Sequence, residues 1–283
     1  IKKIENYEDG ESAPNYYLRK ISFFEDEDTG DYENFNQRTK AMMSEANGFN
    51  TAFFSQNEIG SRELTKAKIN NEFNFGPLMI SMMGHGAFDR FGDDTFNVSD
   101  ARLLTNSTLP IVATWNCETA YFYDADKSYK SLGEELIFNP NGGAIVYMGS
   151  TTQTTPSAQS KLGQNYFSRL SDALNKPWSG MRFGDFLHQA KLGVGEGTYE
   201  KDIVNSFSII GDPSLSLPSQ LFTENREGRS ELNEPKKPGT FGCTADASDG
   251  DSQAPWSQGL IEWIFYMFMA VYGTKRILKK LPH

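Results

Sequence analysis

The sequence predicts a three-layer α/β fold around a mostly parallel sheet, and two observations carry that prediction. Short apolar runs recur along the chain, each bounded by turn residues and separated from the next by a helix-length segment. Such runs suit strands covered on both faces, and strand–helix alternation builds a parallel sheet with right-handed crossovers. At 283 residues the chain can bury a full core, so one large domain with appendages is expected.

Residues 1–18 are polar and hold few apolar anchors, so they read as the end of an upstream region. The chain begins at Ile1 rather than methionine, without a signal-peptide pattern, and is read as a fragment or processed form. Lys20-Ile21-Ser22-Phe23-Phe24 is the first strand, and an acidic turn from Glu25 to Asp31 follows. A helix over about 34–46 stops at Asn47-Gly48, and 49–54 is a second strand. Ser61 caps a helix to about Phe73, with Leu64, Ala67 and Ile69 as its apolar stripe.

The next strand runs from Leu78 to Met83 and ends on Gly84-His85-Gly86. Ser99 or Asp100 opens a short helix through Leu104, and the apolar run 109–115 ends on Asn116-Cys117. A helix near 131–138, the turn Asn141-Gly142-Gly143 and a strand over 144–148 come after it. Residues 149–155 form a Ser/Thr-rich loop, and Pro156 starts a long helix that reaches Leu174. A further helix spans about 182–194, and 203–210 with Gly211-Asp212-Pro213 close the domain near Leu217.

A net charge of −10, from 37 acidic and 27 basic residues, argues against a nucleic-acid surface. The acidity suits a secreted protein or one that binds a hard cation such as calcium. Two cysteines and three histidines are too few for a disulfide framework, and no spacing points to zinc.

Chemistry concentrates where two apolar runs end abruptly on reactive side chains. Catalytic groups collect beyond the carboxyl ends of parallel strands, so His85 and Cys117 are expected on one rim as a Cys–His pair. Gly84 and Gly86 bracket His85 and are expected to let a substrate approach the bare backbone. His188 falls inside a helix, where a surface or packing role is expected.

With those residues in view, the chain resembles the catalytic domain of the gingipain-type cysteine peptidases, within the caspase-like group. The resemblance rests on Gly84-His85-Gly86, then Leu104-Thr105-Asn106-Ser107 before Leu109-Pro110, and the apolar run into Cys117. Asn141-Gly142-Gly143-Ala144-Ile145 and Gly211-Asp212-Pro213-Ser214-Leu215 extend it, over residues 19–218. It implies a caspase-like (caspase-hemoglobinase) α/β/α fold and a thiolate acyl-enzyme mechanism. Cys117 is then the nucleophile and His85 the general acid, with the N–H groups of Gly86 and Cys117 as the oxyanion hole. Asp26 or Glu27 orients the imidazole, or else serves the turn as a calcium carboxylate. Ser150, Thr151 and Thr152 line the pocket for the residue before the cut bond. No cofactor is required, structural calcium is the one ion considered, and the partners are protein or peptide substrates.

From 219 to 258 the composition turns to Glu, Asn, Pro, Lys, Gly and Ser, which reads as a polar linker. Residues 259–283 hold an apolar block from Leu260 to Tyr272 and the basic residues Lys275, Arg276, Lys279 and Lys280. They read as a membrane-directed helix, or as an ordinary docking helix. Cys243 ahead of this block resembles cysteine-containing C-terminal sorting tags, which implies export and sorting machinery, membrane contact and the surface of a Gram-negative bacterium. Three functions follow. The first is a secreted or surface-anchored cysteine endopeptidase, the second a sorting-signal processing peptidase or transpeptidase. The third is a catalytically silent surface-binding module of the same fold.

Overall fold

A computed structural model describes residues 2–8, 19–30, 32–123, 129–174 and 182–217. The elements in order are α1 (Lys2–Glu8), β1 (Lys20–Glu25), α2 (Phe35–Glu45), β2 (Asn50–Ser55), α3 (Gln56–Ile59), α4 (Arg62–Phe75) and β3 (Met79–Met83). There follow β4 (Gly86–Ala87), β5 (Arg90–Phe91), β6 (Phe96–Asn97), α5 (Val98–Arg102), β7 (Ile111–Trp115) and α6 (Leu132–Phe138). The last are β8 (Val146–Ser150), α7 (Pro156–Leu174), α8 (Phe183–Leu192), α9 (Thr198–Ser206) and β9 (Phe207–Gly211).

Six strands form one sheet in the order β2-β1-β3-β7-β8-β9. All neighbours pair parallel except β9, which runs antiparallel to β8. Every residue of β3, β7 and β8 is buried, the expected reason for their continuous apolar runs. Successive side chains feed opposite cores. On one face Phe23, Met79, Trp115 and Met148 pack with Met42 of α2, Tyr166 and Phe167 of α7 and Phe186 of α8. On the other, Phe24, Ile80, Val112 and Tyr147 meet Ile69 and Phe73 of α4, Ala101 of α5 and Leu136 of α6. Each large side chain buried this way contributes roughly 1.5–3 kcal/mol of transfer free energy.

The start of the chain belongs to this core as well. Tyr7 of α1 is buried in the first cluster, and the Lys3 ammonium donates to the Ile137 carbonyl at 2.9 Å. Burial pushes Lys3 down to about 8.

Four details differ from the sequence reading. Asn97 caps α5 and accepts from the N–H of Asp100, whose carboxylate takes the Asn97 N–H in return. Ser99 and Asp100 therefore lie inside the helix. Strand β8 begins two residues later than expected, because Ala144 and Ile145 are still bonded to Leu136 O and Pro110 O. Gly143 makes that entry at φ 87, and an added Cβ would strike the Leu136 carbonyl. The segment after His85 holds the small antiparallel sheet β4-β5-β6, whose two-residue strands are too short to show a period. The run over 203–210 divides between the end of α9 and β9.

Residues 218–283, which hold the 219–258 linker, Cys243 and the 259–283 apolar block, lie outside the described residues. Among the described residues no helix is long and apolar enough to cross a membrane.

Candidate active site

Three adjacent parallel strands end together. Glu25 of β1 pairs with Met83 of β3, which pairs with Trp115 of β7. The ladder runs one residue further, since the Asp26 N–H donates to Met83 O (3.0 Å) and the Gly84 N–H to Trp115 O (3.4 Å). His85 and Cys117 each lie two residues past that common register, so they leave the sheet at the same level on neighbouring strands. Strand spacing of about 4.8 Å then brings Asp26, His85 and Cys117 to one rim.

The glycines around His85 answer a steric requirement of the fold. A Cβ on Gly84 would strike the Asp26 side chain, and one on Gly86 would lie 2.6 Å from both Asn116 Nδ2 and Cys117 O. Both positions are closed to a side chain by residues just past the ends of the neighbouring strands β1 and β7.

Carboxylates hold both nitrogens of the His85 ring. Nδ1 lies 2.8 Å from Asp26 Oδ2, which also accepts the His85 backbone N–H at 3.2 Å. Nε2 lies 3.0 Å from Glu33 Oε1 and 3.3 Å from the Thr29 hydroxyl, and the Phe35 ring meets the imidazole edge-on. The ring is 35% exposed, against 0% for the Asp26 side chain and 5% for Glu33. The Asp26 hydrogen bond, opposed by burial and aided by Glu33, pushes His85 up to about 9. Burial raises Glu33, but the Thr29 and Gly30 N–H groups and His85 outweigh it and leave that carboxyl below its ordinary range. Glu27, the other carboxylate expected here, pairs with Arg62 at 2.8 Å instead. Among the described residues no group of three or more His, Cys, Asp or Glu is arranged to hold a metal ion.

Cys117 sits on a turn built from beneath by a buried polar chain. The Tyr147 hydroxyl meets Thr114 Oγ1 at 2.7 Å, and Thr114 Oγ1 meets Thr119 Oγ1 at 2.8 Å. The Thr119 hydroxyl donates to Asn116 Oδ1 at 2.6 Å, and Asn116 Nδ2 to His85 O at 3.4 Å. Glu118 turns the chain at φ 60 and gives its N–H to Thr152 O. That left-handed conformation costs a non-glycine residue about 1–2 kcal/mol. The thiol donates to Thr154 O at 3.4 Å and receives the Thr154 N–H at 3.5 Å. Burial raises its pKa; Thr154 pulls the other way, and the Glu118 charge adds to the rise. The Cys117 N–H has no acceptor among the described residues, and no hydrogen bond joins Cys117 to His85.

The 149–155 loop does border Cys117, with one correction. Ser150 is fully buried and binds Thr152 O and Ser206 Oγ, so it braces the loop and lines nothing. Thr151 turns inward to Ser206 O, and Thr152 is exposed beside the Cys117 turn. His188 is exposed on α8. Glu33 and the Tyr147–Thr114–Thr119–Asn116 chain escaped the sequence reading, whereas Thr154 falls in the Ser/Thr-rich loop it placed at the pocket. Glu33 is one of many acids in its segment, and the hydroxyl chain is an ordinary feature of buried strands until their register is known.

Comparison with known proteins agrees with this architecture. The sequence model of peptidase family C25 matches residues 1–218. The structure of the Arg-specific cysteine proteinase gingipain R superposes with a TM-score of 0.61 at 16% identity, covering 76% of this chain and 51% of that one. The Porphyromonas gingivalis RgpB pro- and mature-domain complex gives 0.59 at 15%, covering 76% and 52%. A structure described only as a protease gives 0.60 at 14%, with the same coverage. The chain thus spans about half the length of these structures, and the likeness is one of fold: a caspase-like α/β/α domain. No curated protein matches the chain.

Proposed function

Because the chain belongs to peptidase family C25, we propose that it is a cysteine endopeptidase acting on protein or peptide substrates through Cys117 and His85. The observation that carries this reading is the common register of β1, β3 and β7, which end on a carboxylate, an imidazole and a thiol. The Cys117 thiol gives its proton to solvent as its sulfur adds to the scissile carbonyl carbon. The carbonyl oxygen takes the negative charge, facing the N–H groups of Gly86 and Cys117. Collapse breaks the C–N bond, and His85 gives a ring proton to the departing amine. Water then attacks the thioester and gives a proton to the neutral His85 ring; the C–S bond breaks, the acid is released, and the thiolate takes a proton back from solvent.

Both resting groups suit this order of events. His85 is held protonated and so begins as an acid, while the thiol stays neutral until substrate arrives. No cofactor takes part. Asp26 orients the imidazole, and Thr152 with Thr154 borders the acyl side of the cleft. The enzyme works outside the cell or at the surface of a Gram-negative bacterium, a placement that rests on Cys243 and the apolar, basic-ended block after Leu260.

The test is labelling of the purified chain with acyloxymethyl-ketone probes that vary the residue before the reactive carbonyl. Labelling of wild type that disappears in Cys117→Ala is the expected result. A folded wild-type chain that no probe labels, with calcium supplied, would overturn the peptidase reading.

A further inference from the structure

We propose that Glu33 is a positioning residue for His85, a second carboxylate that closes on Nε2 so that the ring stands doubly protonated and fixed before substrate arrives. The proposal deepens the peptidase reading and rests on it for its catalytic meaning. Its physical core, the charge state of the ring, is testable without any activity.

The geometry is the ground for it. A neutral imidazole has one N–H and one bare lone pair, so it can satisfy only one of two carboxylates. Here Asp26 stands 2.8 Å from Nδ1 and Glu33 3.0 Å from Nε2, and both contacts are favourable only if both nitrogens carry protons. Glu33 is also built for the task. It is almost fully buried, and its carboxylate is fixed by the N–H groups of Thr29 and Gly30 and by the Thr29 hydroxyl. Arg38 secures the loop by donating to Glu33 O at 2.7 Å. Among the described residues the charged groups facing the ring are Asp26 from the end of β1 and Glu33 from the segment before α2. Glu27 and Asp93 are turned to Arg62, and Asp28 accepts the Phe35 N–H. Arg38 is bound to the Glu33 carbonyl and Arg62 to Glu27 and Asp93, and no ion pair among the described residues joins a cation to the Asp26 or Glu33 carboxylate other than His85 itself. The elevated pKa of His85 accords with this arrangement.

The consequence for turnover follows from the two partners. Nδ1 faces the fully buried Asp26, whereas the Nε2 contact is the longer one and is made by an irregular segment. Nε2 therefore gives up its proton to the leaving amine and parts from Glu33, while Nδ1–H keeps Asp26. The neutral ring, which can return to Glu33 only with a lone pair facing a carboxylate, takes a proton from the water that attacks the thioester and so reloads the acid.

The experiment is NMR of the ring nitrogens of His85 in the full chain, assigned with His85→Ala, across a pH titration of wild type and Glu33→Gln. In wild type both nitrogens carry protons at neutral pH. In Glu33→Gln the midpoint moves down by about one pH unit or more. The alkaline limb of kcat/KM moves down with it, and Glu33→Asp returns both towards wild type. A purely structural role for Glu33 would lower stability without moving the midpoint, and that result overturns the proposal. A wild-type ring with a single protonated nitrogen at neutral pH overturns it equally, even if Glu33→Gln does not fold. If the titration moves as stated but no probe labels Cys117, the clamp stands and the peptidase reading falls.

Discussion

His85 lies between two carboxylates, and this makes its protonation a matter of stability as well as chemistry. Its value in the fold, about 9, lies above the ordinary 6.5, so the charged ring favours folding. That contribution is complete below about pH 6.5 and is lost as pH rises through about 9. Thermal melts should therefore show wild type losing Tm over that interval more steeply than His85→Gln; parallel curves would refute the ion pairing. The thiol answers in the other sense. Burial raises Cys117, so iodoacetamide should alkylate it slowly at neutral pH and faster only as pH climbs beyond the ordinary thiol range. His85→Ala should lower kcat by about 10²–10⁴-fold while Cys117 remains alkylatable, which assays of turnover and labelling would separate.

At the scale of elements, the site depends on how closely three strand ends approach. Gly84→Ala would drive a methyl into Asp26 and should destabilise the domain by about 1–3 kcal/mol in denaturant melts. Thr114→Val keeps the shape of β7 but breaks the hydroxyl chain that seats Asn116 beneath the Cys117 turn. Its kcat should fall by about tenfold to a hundredfold with KM little changed, since the thiol is misplaced rather than removed. Asn97→Ala removes both side-chain bonds at the start of α5 and should cost about 1 kcal/mol without touching turnover.

For the molecule as a whole, both cores are built from residues between Tyr7 and Leu217. A chain ending at Ser230 should keep the Tm and the probe labelling of the full chain. A loss of either would show that residues 231–283 support the fold or the cleft. Removing residues 1–8 should be far more damaging, because Tyr7 leaves the first core and Lys3 leaves the carbonyls of Leu136, Ile137 and Ala144.

What the sequence determined by itself was whatever depends on local pattern. Apolar runs of four to seven residues marked β1, β3, β7 and β8 as buried strands, and their abrupt ends singled out His85 and Cys117. Ser61, Ser131 and Pro156 marked helix starts, since capping and a fixed φ are short-range effects. Tertiary structure alone decided which acid serves the histidine. Asp26, Glu27, Asp28 and Glu33 are interchangeable in composition. The register of β1 on β3 turns Asp26 to Nδ1, a distant arginine on α4 claims Glu27, and the fold of one irregular segment brings Glu33 to Nε2. It also decided that Gly84 and Gly86 are closed to a side chain, because the atoms that forbid one there come from residues just past the ends of neighbouring strands. Local periodicity reports which face a residue presents, whereas the partner it meets is set by strand order and register, which only the assembled sheet contains.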